Sequence, residues 1–88
     1  MTFIRQLECI ERIDQLIRLQ ATGPSNVLAL RLGISKTTLY RILNIMKELD
    51  APIEYNVGIQ SFVYEEEVGF KFGFYTKDIQ IHKIRSVA

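Results

Sequence analysis

Gly33-Ile34-Ser35-Lys36-Thr37-Thr38-Leu39-Tyr40-Arg41-Ile42-Leu43 is the stretch that decides how this chain reads. Gly33 can take the positive φ that ends a helix tightly. Ile34 is apolar and suits the angle between two packed helices. Ser35 offers a hydroxyl to cap a following helix by accepting from its unpaired N–H groups. Beyond it, Leu39, Ile42, Leu43 and Met46 recur at three- and four-residue steps, the spacing of a helix with one face on a core. The stretch therefore reads as a tight turn between two helices, the second running from Lys36 to about Leu49.

The two faces of that second helix differ in chemistry. With Leu39 at zero on a wheel of about 100° per residue, Leu43, Met46, Ile42 and Leu49 fall within about 80° and form the expected buried stripe. Tyr40, Asn44, Thr37 and Arg41 fall on the other side, between about 100° and 200°. Lys36 and Lys47 flank them, and Glu48 is the one acid, near the far end. A surface helix shaped only by solubility favours Glu and Lys pairs, whereas Thr and Asn are mediocre helix formers. These types suit a DNA groove instead. Arg41 can make a bidentate contact to guanine and Asn44 to adenine, and the methyl groups of Thr37 and Thr38 can touch thymine.

Outward from this stretch, Phe3, Leu7, Ile10, Ile13, Leu16 and Ile17 mark an earlier amphipathic helix from about Thr2 to about Gln20. Ala21-Thr22-Gly23-Pro24 breaks it. Ser25 is the expected cap of a middle helix ending at Leu32, with Val27, Leu28 and Leu32 buried and the small Ala29 allowing close helix approach. Asp50-Ala51-Pro52 stops the third helix, because the residue before proline avoids helical backbone. The period then changes to two. Pro52–Val57 and Ser61–Glu65 alternate around Val57-Gly58-Ile59-Gln60, a β-hairpin. Phe70, Phe72 and Phe74 also alternate, which suggests a third strand whose aromatic face belongs to the core or, as the alternative, to a dimer surface. The fold class is α+β, a three-helix bundle followed by two or three antiparallel strands over residues 1–75. Residues 76–88 form a tail or short strand, a candidate oligomer contact.

Eighty-eight residues make one domain. The apolar fraction of 48% is that of a folded chain rather than a disordered one. No run approaches the roughly 18 apolar residues of a membrane span, and the N-terminus lacks the apolar core of a signal peptide. The expected location is cytoplasmic. Cys9 is the single cysteine, so neither an internal disulfide nor a cysteine-based zinc site is possible; it reads as a small packed residue. His82 is the single histidine and cannot make a metal cage. No nucleophile–base pair and no phosphate-binding glycine loop stands out, so no enzyme, cofactor, metal or small-molecule ligand is expected. Glu65-Glu66-Glu67 reads as a solvated edge.

Net charge is only +1, but its distribution is uneven. Residues 15–47 carry Arg18, Arg31, Lys36, Arg41 and Lys47 with no acid, and residues 48–67 carry six acids with no base. A basic block that coincides with the candidate reading helix is a signal for a polyanion partner.

Taken together, Leu28-Ala29-Leu30-Arg31-Leu32-Gly33-Ile34-Ser35-Lys36-Thr37-Thr38-Leu39-Tyr40-Arg41, followed by Leu49-Asp50-Ala51-Pro52-Ile53-Glu54-Tyr55, resembles the winged helix-turn-helix domains of bacterial transcription regulators. The DeoR-type, biotin-repressor-like and WYL-associated domains are the nearest in style. The resemblance spans about Ile13 to Tyr64. It implies a third helix in the major groove and a hairpin, or wing, against the adjacent backbone or minor groove. Such wings often carry Arg or Lys at the tip; here the tip is Asn56-Val57-Gly58-Ile59-Gln60-Ser61. Many relatives also continue into a sensor domain, for which 88 residues leave no room.

The expected base contacts are Lys36, Thr37, Thr38, Arg41 and Asn44. Ser25, Asn26, Ser35, Tyr40 and Lys47 are the expected phosphate contacts. Asn56, Gln60 and Ser61 are weaker, uncharged wing contacts. A sequence-specific double-stranded DNA-binding regulator is the leading expectation, as a homodimer because one reading helix makes few contacts. The first helix or the Phe70–Phe74 strand is the expected dimer surface. The alternative is a winged-helix module that binds protein and not DNA, an idea favoured by the acidic hairpin.

Overall fold

A computed structural model of the protein describes residues 1–71. The chain is α+β: helices α1 (Phe3–Arg18), α2 (Ser25–Leu32) and α3 (Lys36–Glu48) precede strands β1 (Ile53–Asn56) and β2 (Ser61–Tyr64). The strands form an antiparallel pair in which Ile53 faces Tyr64 and Asn56 faces Ser61. The expected third strand does not appear at Phe70 and Lys71, which lie outside regular structure. Phe72, Phe74 and residues 76–88 lie outside the described residues, and with them the expected tail contact and His82.

The helix boundaries follow from local chemistry. Thr2 caps α1, its hydroxyl accepting from Arg5 N–H at 3.0 Å. Ser35 caps α3, its hydroxyl accepting from Thr38 N–H at 3.1 Å. Ser25 does not cap α2: it is the first helical residue, after an extended Pro24 that supplies no side-chain acceptor. All three helices end alike. Gln20, Gly33 and Asp50 each take positive φ, at 54°, 70° and 74°. The next residue's N–H then reaches back to the last turn, as from Ile34 to Ala29 O at 3.0 Å and from Ala51 to Met46 O at 3.0 Å. This is the Schellman way of pairing carbonyls at a helix end. Only Gly33 adopts the conformation without a Cβ penalty; Gln20 and Asp50 each carry about 1 kcal/mol of it.

The core gathers Ile10, Ile13 and Ile17 of α1, Leu28 and Leu32 of α2, Leu39, Ile42, Leu43 and Met46 of α3, and Ile53 and Phe62 of the hairpin. Cys9 lies in it, buried as expected. Five expected core residues depart from that pattern. Leu49 falls just past the end of α3 and is 64% exposed. Phe3, in the first turn of α1, is exposed. Leu7, Leu16 and Val27 are half-buried. At Leu49 the apolar period continues past the last turn of its helix.

Two polar clamps fasten the hairpin to the helices. Thr22, between α1 and α2, is fully buried opposite the buried Ser61. Its hydroxyl accepts from Phe62 N–H at 2.8 Å, its own N–H donates to Ser61 Oγ at 3.2 Å, and the two hydroxyls meet at 3.1 Å. Thr22 thus takes the place of a neighbouring strand on the outer edge of β2, pairing a donor that burial would otherwise strand. The second clamp is ionic. Asp14 of α1 is buried and accepts from Tyr64 OH at 2.6 Å and from Arg18 Nε at 3.1 Å. Arg18 also lies over the Tyr64 ring, 5.3 Å from its centroid. Burial, then the hydrogen bond to Asp14, pushes the Tyr64 hydroxyl pKa well above its ordinary range. Donating to the Asp14 carboxylate likewise raises the pKa of Arg18.

Candidate nucleic-acid interface

The outward face of α3 exists because its inward face is filled. Leu39, Ile42, Leu43 and Met46 are each no more than 3% exposed, which leaves the helix one rotational setting. In that setting Lys36, Thr37, Tyr40, Arg41, Asn44 and Lys47 are all exposed. Apart from Glu48 at the last position of α3, the helix carries no acid. The six side chains form one polar and basic strip along α3, as the sequence periodicity predicts.

At the start of α3 the hydroxyls have partial commitments. Ser35 Oγ accepts from Thr38 N–H and donates to Thr38 Oγ1 at 3.0 Å. Its proton is therefore turned toward Thr38, and a phosphate contact through the Ser35 side chain requires that bond to switch. Thr38 is half-buried, but its own hydroxyl hydrogen stays available, because its oxygen is the acceptor in that pair. Thr37 stands exposed one residue earlier. The first turn can therefore approach a surface closely, with short side chains only.

The expected phosphate residues of α2 sit at its N-terminus. Asn26 is exposed and Ser25 half-buried. With Pro24 giving no side-chain cap, the first N–H groups of α2 have the positive end of the helix dipole without a local anion. Ser25 shares a cleft of about 390 Å³ with Pro24, Tyr40, Tyr55 and Phe62. Tyr55 was not singled out by its sequence position. It is 37% exposed, and its ring meets the Phe62 ring edge-on at 5.0 Å. The cleft brings the start of α2, the outward face of α3 and β1 to one side of the molecule. The signal in the sequence was the alternation of Ile53 and Tyr55, which places both on the helix-facing side of the hairpin.

The hairpin residues divide. Ser61 is 1% exposed and its hydroxyl is engaged by Thr22 and Phe62. This corrects its place among the phosphate contacts: a hydroxyl spent inside the fold cannot meet a ligand outside it. Asn56 is exposed, with its side-chain carbonyl accepting from Ile59 N–H at 3.2 Å to brace the turn. Its amide hydrogens remain. Gln60 is exposed at the turn, with φ +50°.

The basic block also contracts. Arg18 is bound to Asp14 at 3.0 Å and belongs to the hairpin clamp, not to the α3 strip. Among the described residues no group of His, Cys, Asp or Glu could hold a metal ion, and Glu65, Glu66 and Glu67 are simply exposed. No helix among these residues is long and apolar enough to cross a membrane. Comparison with family models, with curated proteins and with solved structures found no match to the chain.

Proposed function

We propose that this chain is a winged helix-turn-helix protein that binds double-stranded DNA in a sequence-specific way, a small cytoplasmic transcription regulator without catalytic activity. The carrying observation is the exposed strip Lys36, Thr37, Tyr40, Arg41, Asn44 and Lys47 on a helix whose opposite face is buried. In this reading α3 lies in the major groove. Arg41 and Asn44 reach base edges, Lys36, Thr37 and Thr38 make the closer contacts at the helix start, and Tyr40 and Lys47 hold phosphates. Ser25 and Asn26 add backbone contacts where α2 crosses the strand.

A homodimer fits this reading, since two-fold sites with half-sites about one helical turn apart supply the contacts one helix lacks. Away from the α3 strip, a groove of about 300 Å³ between Ile10, Met46, Leu49 and Phe70 is one place for that contact. The test is titration with random and selected duplexes at low and moderate salt. Affinity must fall steeply with salt, and selection must return one preferred site. A lack of binding to any duplex at low salt rejects the proposal.

The second reading is a module that binds protein through the hairpin. Its supporting observation is Val57 and Ile59, 76% and 47% exposed at the turn, in front of exposed Glu54 and Glu65–Glu67.

A further inference from the structure

The cleft of about 390 Å³ lined by Pro24, Ser25, Tyr40, Tyr55 and Phe62 has a chemistry of its own. The start of α2, α3 and both strands supply its walls. Each wall is fixed from behind. Phe62 is the one buried member of the five, and its N–H is held by the Thr22 hydroxyl at 2.8 Å. Tyr55 is its cross-strand partner and meets its ring edge-on at 5.0 Å. Tyr40 keeps its place because Leu39 and Leu43, its neighbours on α3, are buried in the core.

No charged side chain lines the cleft, and three of its five residues are aromatic. The hydroxyls of Ser25, Tyr40 and Tyr55 make no hydrogen bond within the protein. An aromatic cavity of this size with a few free polar groups has the make-up of a small-ligand site. Aromatic walls favour a flat ring, which gains contact over its whole face. Hydroxyls both donate and accept, so they suit a ring that carries donors and acceptors on its rim. A cation is disfavoured. On α3, Lys36 lies one turn before Tyr40 and Arg41 directly after it, with no acid until Glu48. Glu54 is adjacent to Tyr55 in β1 and therefore belongs to the opposite face of the strand.

We propose that this cleft binds one unpaired nucleobase, with the flat ring against Tyr40, Tyr55 and Phe62 and its rim on the free hydroxyls. The inference goes beyond duplex binding. A paired base lies inside the stack and cannot enter a pocket until it leaves it, so an intact duplex does not fill the cleft. Tyr40 and Ser25 are also proposed phosphate contacts, so a base in the cleft competes with a duplex for those two residues. The base can arrive as a free nucleoside or as part of an unpaired strand, and the recognising chemistry is the same for both.

The test titrates the full chain, with isotope-labelled tyrosine, against adenosine and against a short oligothymidine. The ring signals of Tyr40 and Tyr55 should shift together and saturate, while that of Tyr64, in the clamp on Asp14, stays still. Tyr55→Ala should weaken binding about tenfold, the scale of one lost base–ring stack. Tyr55→Phe keeps the ring and should lose less. Tyr40→Ala should repeat the loss from the exposed side of α3, where the core packing is untouched. Binding of adenosine alone assigns the cleft to free nucleosides, and binding of the oligothymidine alone assigns it to an unpaired strand. If neither probe moves the two rings, or if oligothymidine binding survives both alanine variants, the inference is overturned. A chain that binds duplex and neither probe loses the cleft alone. One that binds adenosine and no duplex keeps the cleft and loses the DNA reading.

Discussion

The outward face of α3 and the base of the hairpin use similar polar residues to opposite ends. On α3, Thr37, Tyr40, Arg41 and Asn44 stand in solvent. At the hairpin base, Thr22, Ser61, Asp14 and Tyr64 have spent their polar atoms on one another or on nearby backbone. The difference lies in what surrounds each group. A helix satisfies its own backbone, so its surface side chains are left over for a partner. A two-stranded sheet leaves its edges unpaired and is marginal alone. It must be fastened by side chains, and those side chains are then unavailable outside.

The contrast can be broken first at the hairpin. Thr22→Val keeps the shape and removes the oxygen that accepts from Phe62 N–H. Unfolding by urea should show a loss of about 3 kcal/mol, because a buried donor is left unpaired within a connected network. A change below about 0.5 kcal/mol, the size of a neutral surface substitution, would show that the hairpin is held by packing alone.

Arg41→Ala probes the other side of the comparison. It should leave unfolding unchanged, since Arg41 is exposed. Specific DNA binding should weaken by about 1–3 kcal/mol, with relaxed preference at one base pair. Equal losses on selected and random duplexes would make Arg41 a phosphate contact and not a reader.

Tyr64→Phe gives the smallest effect and sharpens the picture by pH. Removing the hydroxyl deletes the bond to Asp14 and should cost about 1.5 kcal/mol near neutral pH. The raised pKa of Tyr64 means that the folded state holds this proton more tightly than the unfolded chain does. Its stabilisation is therefore complete below the ordinary tyrosine pKa of about 10 and declines as pH rises beyond it. In the Phe variant the alkaline decline should be shallower; an identical profile would place Tyr64 outside the clamp.

Much of this was legible beforehand because it depends on near neighbours in the chain. The α3 stripe, its Ser35 cap, the Gly33 turn and the existence of the hairpin all rest on patterns within a few residues. Where the structure departs from the sequence pattern, the cause is either an element's end or a distant partner. Leu49 kept the helical period but passed the last turn. Ser25 looked like a cap until Pro24 proved to hold that position. Ser61 read as an exposed polar residue at the turn, yet its partner Thr22 is 39 residues away. Arg18 counted toward a basic surface until Asp14, buried by the approach of β2, took it up.

By itself the sequence determined the periods and their breaks: three amphipathic helices, a change to alternation after Pro52, and one helix whose outer face has no need of its polar side chains for folding. Only the tertiary structure decided which polar groups are spent and where charge lies. The hydroxyl of Thr22 and the carboxylate of Asp14 became structural when β2 came to rest on them. Glu54 and Glu65, eleven residues apart in sequence, were brought to the same end of the hairpin by the pairing of β1 with β2, away from an uncharged turn. Periodicity is a property of adjacent residues, whereas burial and screening depend on distances that exist only once the chain has folded.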